Sequence, residues 1–95
     1  MAVYVIASRT IKDAVRFEDY KRTVLPSMEK YGGRFVARSG PIHVLEGEWP
    51  RERLIIAEFP SMERAQQWWV SPEYAGPKAL RQATADSELV IVEGV

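Results

Sequence analysis

The residues that could do chemistry are few, and their types exclude more than they permit. The chain has one histidine and no cysteine, so a disulfide, a thiolate metal site and a cysteine nucleophile are ruled out. His43 could form a two-histidine site only by meeting its own copy across a twofold axis, or serve as a haem ligand. The ordinary reading is a strand histidine at a rim or turn, so neither metal nor cofactor is expected. Two charged residues on apolar strands say more. Arg38 stands two residues before Gly40, and strict alternation puts it on one face with Arg34 and Val36, opposite Phe35 and Ala37. Glu58 shares a face with Leu54 and Ile56, opposite Ala57 and Phe59. If these strands pair, both charges could point into one interior, where a carboxylate is costly unless paired and arginine is its suitable partner. Such a pair could act as a general base or as a clamp for an anionic substrate; the structural alternative is an ion pair, buried or facing solvent.

Tyr74 could offer its hydroxyl to a pocket or simply cap a short turn. Trp49, in a loop, needs cover and could lid a cavity or cross to a second subunit. With Arg38, Glu58 and Arg81 these residues form the candidate ligand-binding set, for a small anionic or aromatic ligand; Arg38, Glu58 and Tyr74 are the catalytic candidates. Trp68 and Trp69 read as core. Glu46 and Glu93 read as solvated charges at strand ends. Gly32-Gly33 lacks the Lys-Ser/Thr of a phosphate loop, and no Gly-x-Ser-x-Gly elbow occurs.

These side chains are positioned by elements that the sequence marks clearly. Ala2–Arg9 is a Val/Ile/Tyr-rich strand, apolar on both faces. Asp13 is an N-cap for a helix to about Tyr31, with Phe17, Tyr20, Val24, Met28 and Tyr31 on one stripe; Pro26 should kink or split it near Arg22, and Gly32-Gly33 end it. Residues 34–46 read as extended, broken at Ser39-Gly40-Pro41, either as one kinked strand, which is preferred, or as a tight hairpin. Residues 47–52 are a loop, and 53–59 a strand. Ser61 caps a second helix. Ser71-Pro72 is another cap signal, but Pro77 follows so soon that a short turn over 72–75 and a separate helix from Pro77 to about Ala85 are expected. Asp86-Ser87 is a turn, and Glu88–Glu93 the last strand. The order β-α-β-β-α-β predicts an α+β, ferredoxin-like domain over residues 1–95, with two helices on one face of a four-stranded antiparallel sheet. An RNA-recognition module has the same order, but residues 33–38 lack its exposed aromatics.

Lysine plus arginine and aspartate plus glutamate are 13 each, so the chain has no broad attraction for nucleic acid or an anionic membrane. No apolar run is long enough to span a bilayer, and the start lacks the basic region of a signal peptide, which makes the cytoplasm the expected location. Strands 2–9, 53–59 and 88–93 are apolar on both faces, yet the helices can cover only one. The uncovered face is an apolar patch that soluble monomers rarely show, and a twofold homodimer packing sheet on sheet would bury it.

Several stretches together resemble the bacterial family called domain of unknown function thirteen-thirty, within the dimeric α+β barrel superfamily. They are Tyr31-Gly32-Gly33-Arg34-Phe35, Arg38-Ser39-Gly40, Leu45-Glu46-Gly47-Glu48-Trp49, Glu58-Phe59-Pro60-Ser61-Met62-Glu63, Trp68 with Ser71-Pro72-Glu73-Tyr74, Leu80-Arg81, and Val92-Glu93-Gly94. The resemblance implies a ferredoxin-like fold whose two sheets close a barrel in the dimer, and implies no reaction. Cofactor-free monooxygenases, haem-degrading enzymes and chlorite dismutases belong to the same superfamily, a likeness of fold alone. Two function classes follow: a cofactor-independent small-molecule enzyme or ligand binder, or a non-catalytic dimer acting through protein contacts.

Overall fold

The computed structural model describes residues 1–95. Strand β1 (Val3–Ile11) leads into helix α1 (Ala14–Glu29), then strands β2 (Arg34–Arg38) and β3 (Arg53–Phe59), helices α2 (Met62–Trp69) and α3 (Pro72–Thr84), and strand β4 (Ala85–Glu93). The strands form one antiparallel sheet in the order β2-β3-β1-β4. This is the expected α+β, ferredoxin-like arrangement. Phe17, Tyr20, Val24 and Met28 of α1, Ala65 and Trp68 of α2 and Tyr74 of α3 pack with Val3, Val5, Ala57 and Phe59, so all the helices lie on the inner face of the sheet.

Local chemistry sets the ends of α1. The Asp13 side chain accepts from the Arg16 amide at 3.1 Å. At the other end Gly33 N–H donates to the Met28 carbonyl and Gly32 N–H to that of Glu29, with Gly32 at φ +82°. Gly33 also has no room for a side chain, because a Cβ there would lie 2.6 Å from the Phe59 ring. Pro26 sits inside α1 and leaves it one helix, since the packed stripe on either side holds the segment against the sheet.

Four expectations need correction. Residues 39–46 form neither a kinked strand nor a hairpin: β2 stops at Arg38, because Ser39 takes the left-handed φ of +58° and Pro41 has no amide for a ladder. Pro77 does not divide its segment. Helix α3 runs unbroken from Pro72 to Thr84 around it, with Ser71 Oγ accepting from the Tyr74 amide. The turn at Asp86-Ser87 is instead ladder, paired with Thr10 and Arg9, because β1 continues to Ile11 and gives β4 a longer neighbour, starting at Ala85. Finally, two helices on one face become three, since α2 and α3 are separate segments.

Candidate functional site

The inner face of the sheet changes character along β1. Its odd residues Val3, Val5 and Ala7 are buried apolar side chains, and the same alternation brings Arg9 to the helix-facing side. Arg9 lies opposite Arg53 on β3 and Ser87 on β4. The next row inward, across four strands, is Arg38, Ile55, Ala7 and Leu89. Arginines from three strands therefore collect at one end of the inner face, under the first half of α1.

A β-bulge puts Arg38 there. Arg34 pairs with Glu58 and Phe35 with Ala57, but the register then slips, so that Ala37 pairs with Ile56 and Arg38 with Ile55. The extra residue, Val36, reverses the alternation, and Arg38 lands on the face of Phe35. Its guanidinium lies 4.2 Å from the Phe35 ring centroid and donates to the Lys21 carbonyl at 3.1 Å. The Arg38–Glu58 pair expected from strict alternation thus does not form. Glu58 takes Arg34 instead, at 3.3 Å on the outer face.

Arg9, Phe17, Tyr20, Lys21, Arg22, Phe35, Arg38, Ser39, Arg53 and Ile55 line a cleft of about 520 Å³ between α1 and the sheet. Its cations come from all of β1, β2, β3 and α1, and no carboxylate lines it. Lys21 and Arg22 have partners of their own in Glu18 and Asp19 on α1. Arg9 is in a different position: it is 4 % exposed, and its Nε is buried with no hydrogen-bond partner. Burial lowers its pKa, against the opposing pull of the Tyr20 hydroxyl. The rings of Phe17 and Tyr20 each lie 5.6 Å from the guanidinium, which offsets part of the desolvation.

Behind the cleft stands a second buried polar layer. Tyr74 is fully buried, with its hydroxyl 3.2 Å from that of Tyr20. Arg81 is 3 % exposed, and its Nε donates to the Tyr74 hydroxyl at 3.3 Å. Burial first, and the neighbouring Tyr20 second, push the Tyr74 phenol well above the ordinary tyrosine value, so it stays protonated. Arg81 also lines a shallower cleft of about 470 Å³ with Arg51, Trp69 and Ser87, whose Oγ is buried and unpaired.

Of the residues singled out in the sequence, Arg38 lines the cleft and Tyr74 and Arg81 stand behind it. Glu58 and Trp49 lie elsewhere. Glu58 is on the outer face, and Trp49 is 48 % exposed in the loop after β2. His43 is exposed in that same loop, and no three His, Cys, Asp or Glu side chains gather as a metal site. Sequence reasoning missed Arg9, Arg53 and Tyr20. For Arg9 the signal was present: carrying the Val3, Val5, Ala7 alternation one step further places a charge on the buried face.

The chain belongs to the family described as Domain of unknown function (DUF1330), which matches residues 2–95. No protein of curated function matches it. Among solved structures it is similar to a protein of unknown function from Rhodopseudomonas palustris, 21% identical, with a TM-score of 0.82 over 99% of this chain and 82% of that one. It is also similar to a dimeric ferredoxin-like protein of unknown function from Jannaschia sp., 13% identical, with a TM-score of 0.74 over 99% of this chain and 100% of the other. SnoaB, a cofactor-independent oxygenase from Streptomyces nogalater, is 13% identical, with a TM-score of 0.67 over 99% of this chain and 93% of its own. At these identities the likeness is one of fold.

Proposed function

We propose that this chain acts as a single-domain homodimer that binds a small organic anion with an apolar body, as a cofactor-independent enzyme or ligand carrier. The site is the cleft between α1 and the arginine end of the sheet. One observation carries this reading: Arg9 is a buried cation with an unpaired donor, in a cleft whose other charged groups are all cations. An uncompensated buried charge is costly, and an anionic ligand supplies the missing partner. Phe17, Phe35 and Ile55 give the ligand's body an apolar wall. Arg38 and Arg53 stand where a carboxylate entering the cleft would meet them. The fold-level likeness to a cofactor-independent oxygenase supports the cofactor-free part of this reading.

Dimerisation is supported by the outer sheet face. Ala37, Ile56, Ile6 and Val90 form one apolar row across the four strands, and Val92 follows Val90 on the same face. No helix covers this side, and Val90 and Val92 are exposed in the single chain. A self-complementary patch of this kind is buried by a twofold copy, and the Jannaschia protein of the same fold is described as dimeric.

The ligand reading is tested by titrating the protein with 4-nitrobenzoate and with its neutral isostere 4-nitrobenzamide, following thermal stability or amide chemical shifts. The anion should bind with perturbations confined to α1, β2 and the end of β1. Equal responses to the two compounds, or responses confined to other parts of the chain, would sink the anion site.

A further inference from the structure

The two tyrosines and Arg81 behind the cleft have a directionality that the ligand reading does not use. Arginine can only donate, so the Tyr74 oxygen accepts from Arg81 Nε. Tyr74 is fully buried against Trp68, their ring centroids 4.0 Å apart, so its own proton needs an acceptor within the protein. The Tyr20 oxygen, 3.2 Å away, is that acceptor. The reverse arrangement, with Tyr20 donating to Tyr74, would leave the Tyr74 proton pointing at apolar rings, which a buried hydroxyl avoids. With its oxygen already accepting from Tyr74, and with the Arg9 guanidinium beside it, Tyr20 has one free function left, its O–H, and Tyr20 is one of the residues that line the cleft.

From this geometry we infer that the ligand is held through an oxyanion, and that Tyr20 is the hydrogen-bond donor that recognises it, oriented by a chain running from Arg81 through Tyr74. Tyr20 would touch the ligand and is the specificity-determining residue. Tyr74 and Arg81 act through it and are positioning residues. The charged groups that line the cleft with Tyr20 are all cationic: Arg9 from β1, Arg38 from β2, Arg53 from β3, and Lys21 and Arg22 from α1. The cleft should therefore favour the ionised form of any weakly acidic hydroxyl that enters it, the proton passing to solvent, and it should accept either a carboxylate or a phenolate. It contains no group that would act as base toward a neutral ligand. This inference rests on the cleft being the ligand site, and it goes further by naming the ligand's recognised group and the donor that reads it.

The test uses 4-nitrobenzoate for the carboxylate and 4-nitrophenol for the phenolate, whose absorbance reports its ionisation directly. Binding to the unaltered protein should lower the apparent pKa of 4-nitrophenol by about one unit or more, equal to a tenfold preference for the anion. Tyr20→Phe keeps the ring and removes only the donor. It should weaken both probes about 10- to 100-fold, the size of a lost hydrogen bond to a charged group, and diminish the shift in 4-nitrophenol ionisation. Tyr74→Phe should weaken both in the same direction by less, and reduce the ionisation shift without altering thermal stability in proportion, which a purely structural role would not do. Binding of 4-nitrobenzoate alone identifies the oxyanion as a carboxylate, and binding of 4-nitrophenol alone as a phenolate; each supports the inference if Tyr20→Phe removes it. If the probes bind and Tyr20→Phe changes neither affinity nor ionisation, the donor chain is overturned while the anion cleft stands. If neither probe binds the unaltered protein, the cleft and the chain fall together.

Discussion

Replacing Arg9 by methionine should stabilise the ligand-free protein and abolish its response to an aromatic carboxylate. The side chain is 4 % exposed, and its Nε has no partner. An unpaired buried donor costs about 1–3 kcal/mol, and the full desolvation of a charged group is several kcal/mol. Against this stand the Tyr20 hydroxyl, which favours the charged guanidinium, and the Phe17 and Tyr20 rings, each 5.6 Å from it, which return about 0.5–2 kcal/mol apiece. Methionine retains an unbranched stem that can follow the same path between α1 and the sheet. The balance favours the variant by about 1–2 kcal/mol, a rise in Tm of at least about 4 °C for a chain of this size. Urea unfolding in a low-salt buffer free of small organic anions measures the first effect. The second is read by repeating it with 4-nitrobenzoate at a hundredfold excess over Kd, where the unaltered protein should gain about 2.7 kcal/mol and the variant nothing. A variant destabilised by about 2 kcal/mol or more without ligand would refute the reasoning. That loss would mean Arg9 already has its partner within the protein, and the cation would be structural rather than waiting for a ligand.

Three other outcomes follow from the same geometry. Glu73 joins α3 to the end of α1, accepting from Lys30 Nζ at 2.8 Å and Tyr31 Oη at 2.6 Å, and these bonds lower its pKa from 4.5 to about 2. A carboxyl depressed in the fold contributes stability that is complete above its ordinary value and lost as pH falls through the folded one; Tm should therefore drop between pH 4.5 and about 2, and Glu73→Gln should flatten that part of the profile. Light scattering should give about twice the chain mass of 10.8 kDa, and Ile56→Lys, which places an ammonium in the outer apolar row, should split the dimer or unfold it; a monomeric parent would remove the dimer. Double-mutant cycles should show coupling of about 0.2–1 kcal/mol between Arg34 and Glu58, which touch across the strands, and none between Arg38 and Glu58; coupling in the second pair would mean that the bulge at Val36 is absent.

The order of the four strands and the place of the helices between them, the Asp13, Ser61 and Ser71 caps, the Gly32-Gly33 stop and the two-faced apolar strands were all legible in the sequence, because each depends on local chemistry or on a period of two or of 3.6 residues. The α+β ferredoxin-like class and the family likeness rest on the same signals. The limits of local reasoning show at Pro77, where packing of α3 carries the helix through a residue that by itself argues for a break, and at Asp86-Ser87, where an extended β1 draws a turn-like dipeptide into its ladder.

Apart from Arg9, whose place on the buried face follows from the alternation of β1, the candidate site depended on features that no local pattern carries. One extra residue in β2 turns Arg38 away from Glu58 and onto the helix side, and a bulge of this kind arises from how two strands meet, not from either strand alone. Arg9, Arg38 and Arg53 are separated along the chain and become neighbours only when antiparallel pairing sets their rows side by side. The Tyr20–Tyr74 contact joins residues 54 positions apart. What the amino acids determined by themselves was which side chains are able to bear charge or donate a hydrogen bond. Tertiary structure decided which of them lost their water, because desolvation depends on everything packed around a group. That loss of water is what turns Arg9 from an ordinary surface cation into a buried charge in need of a partner.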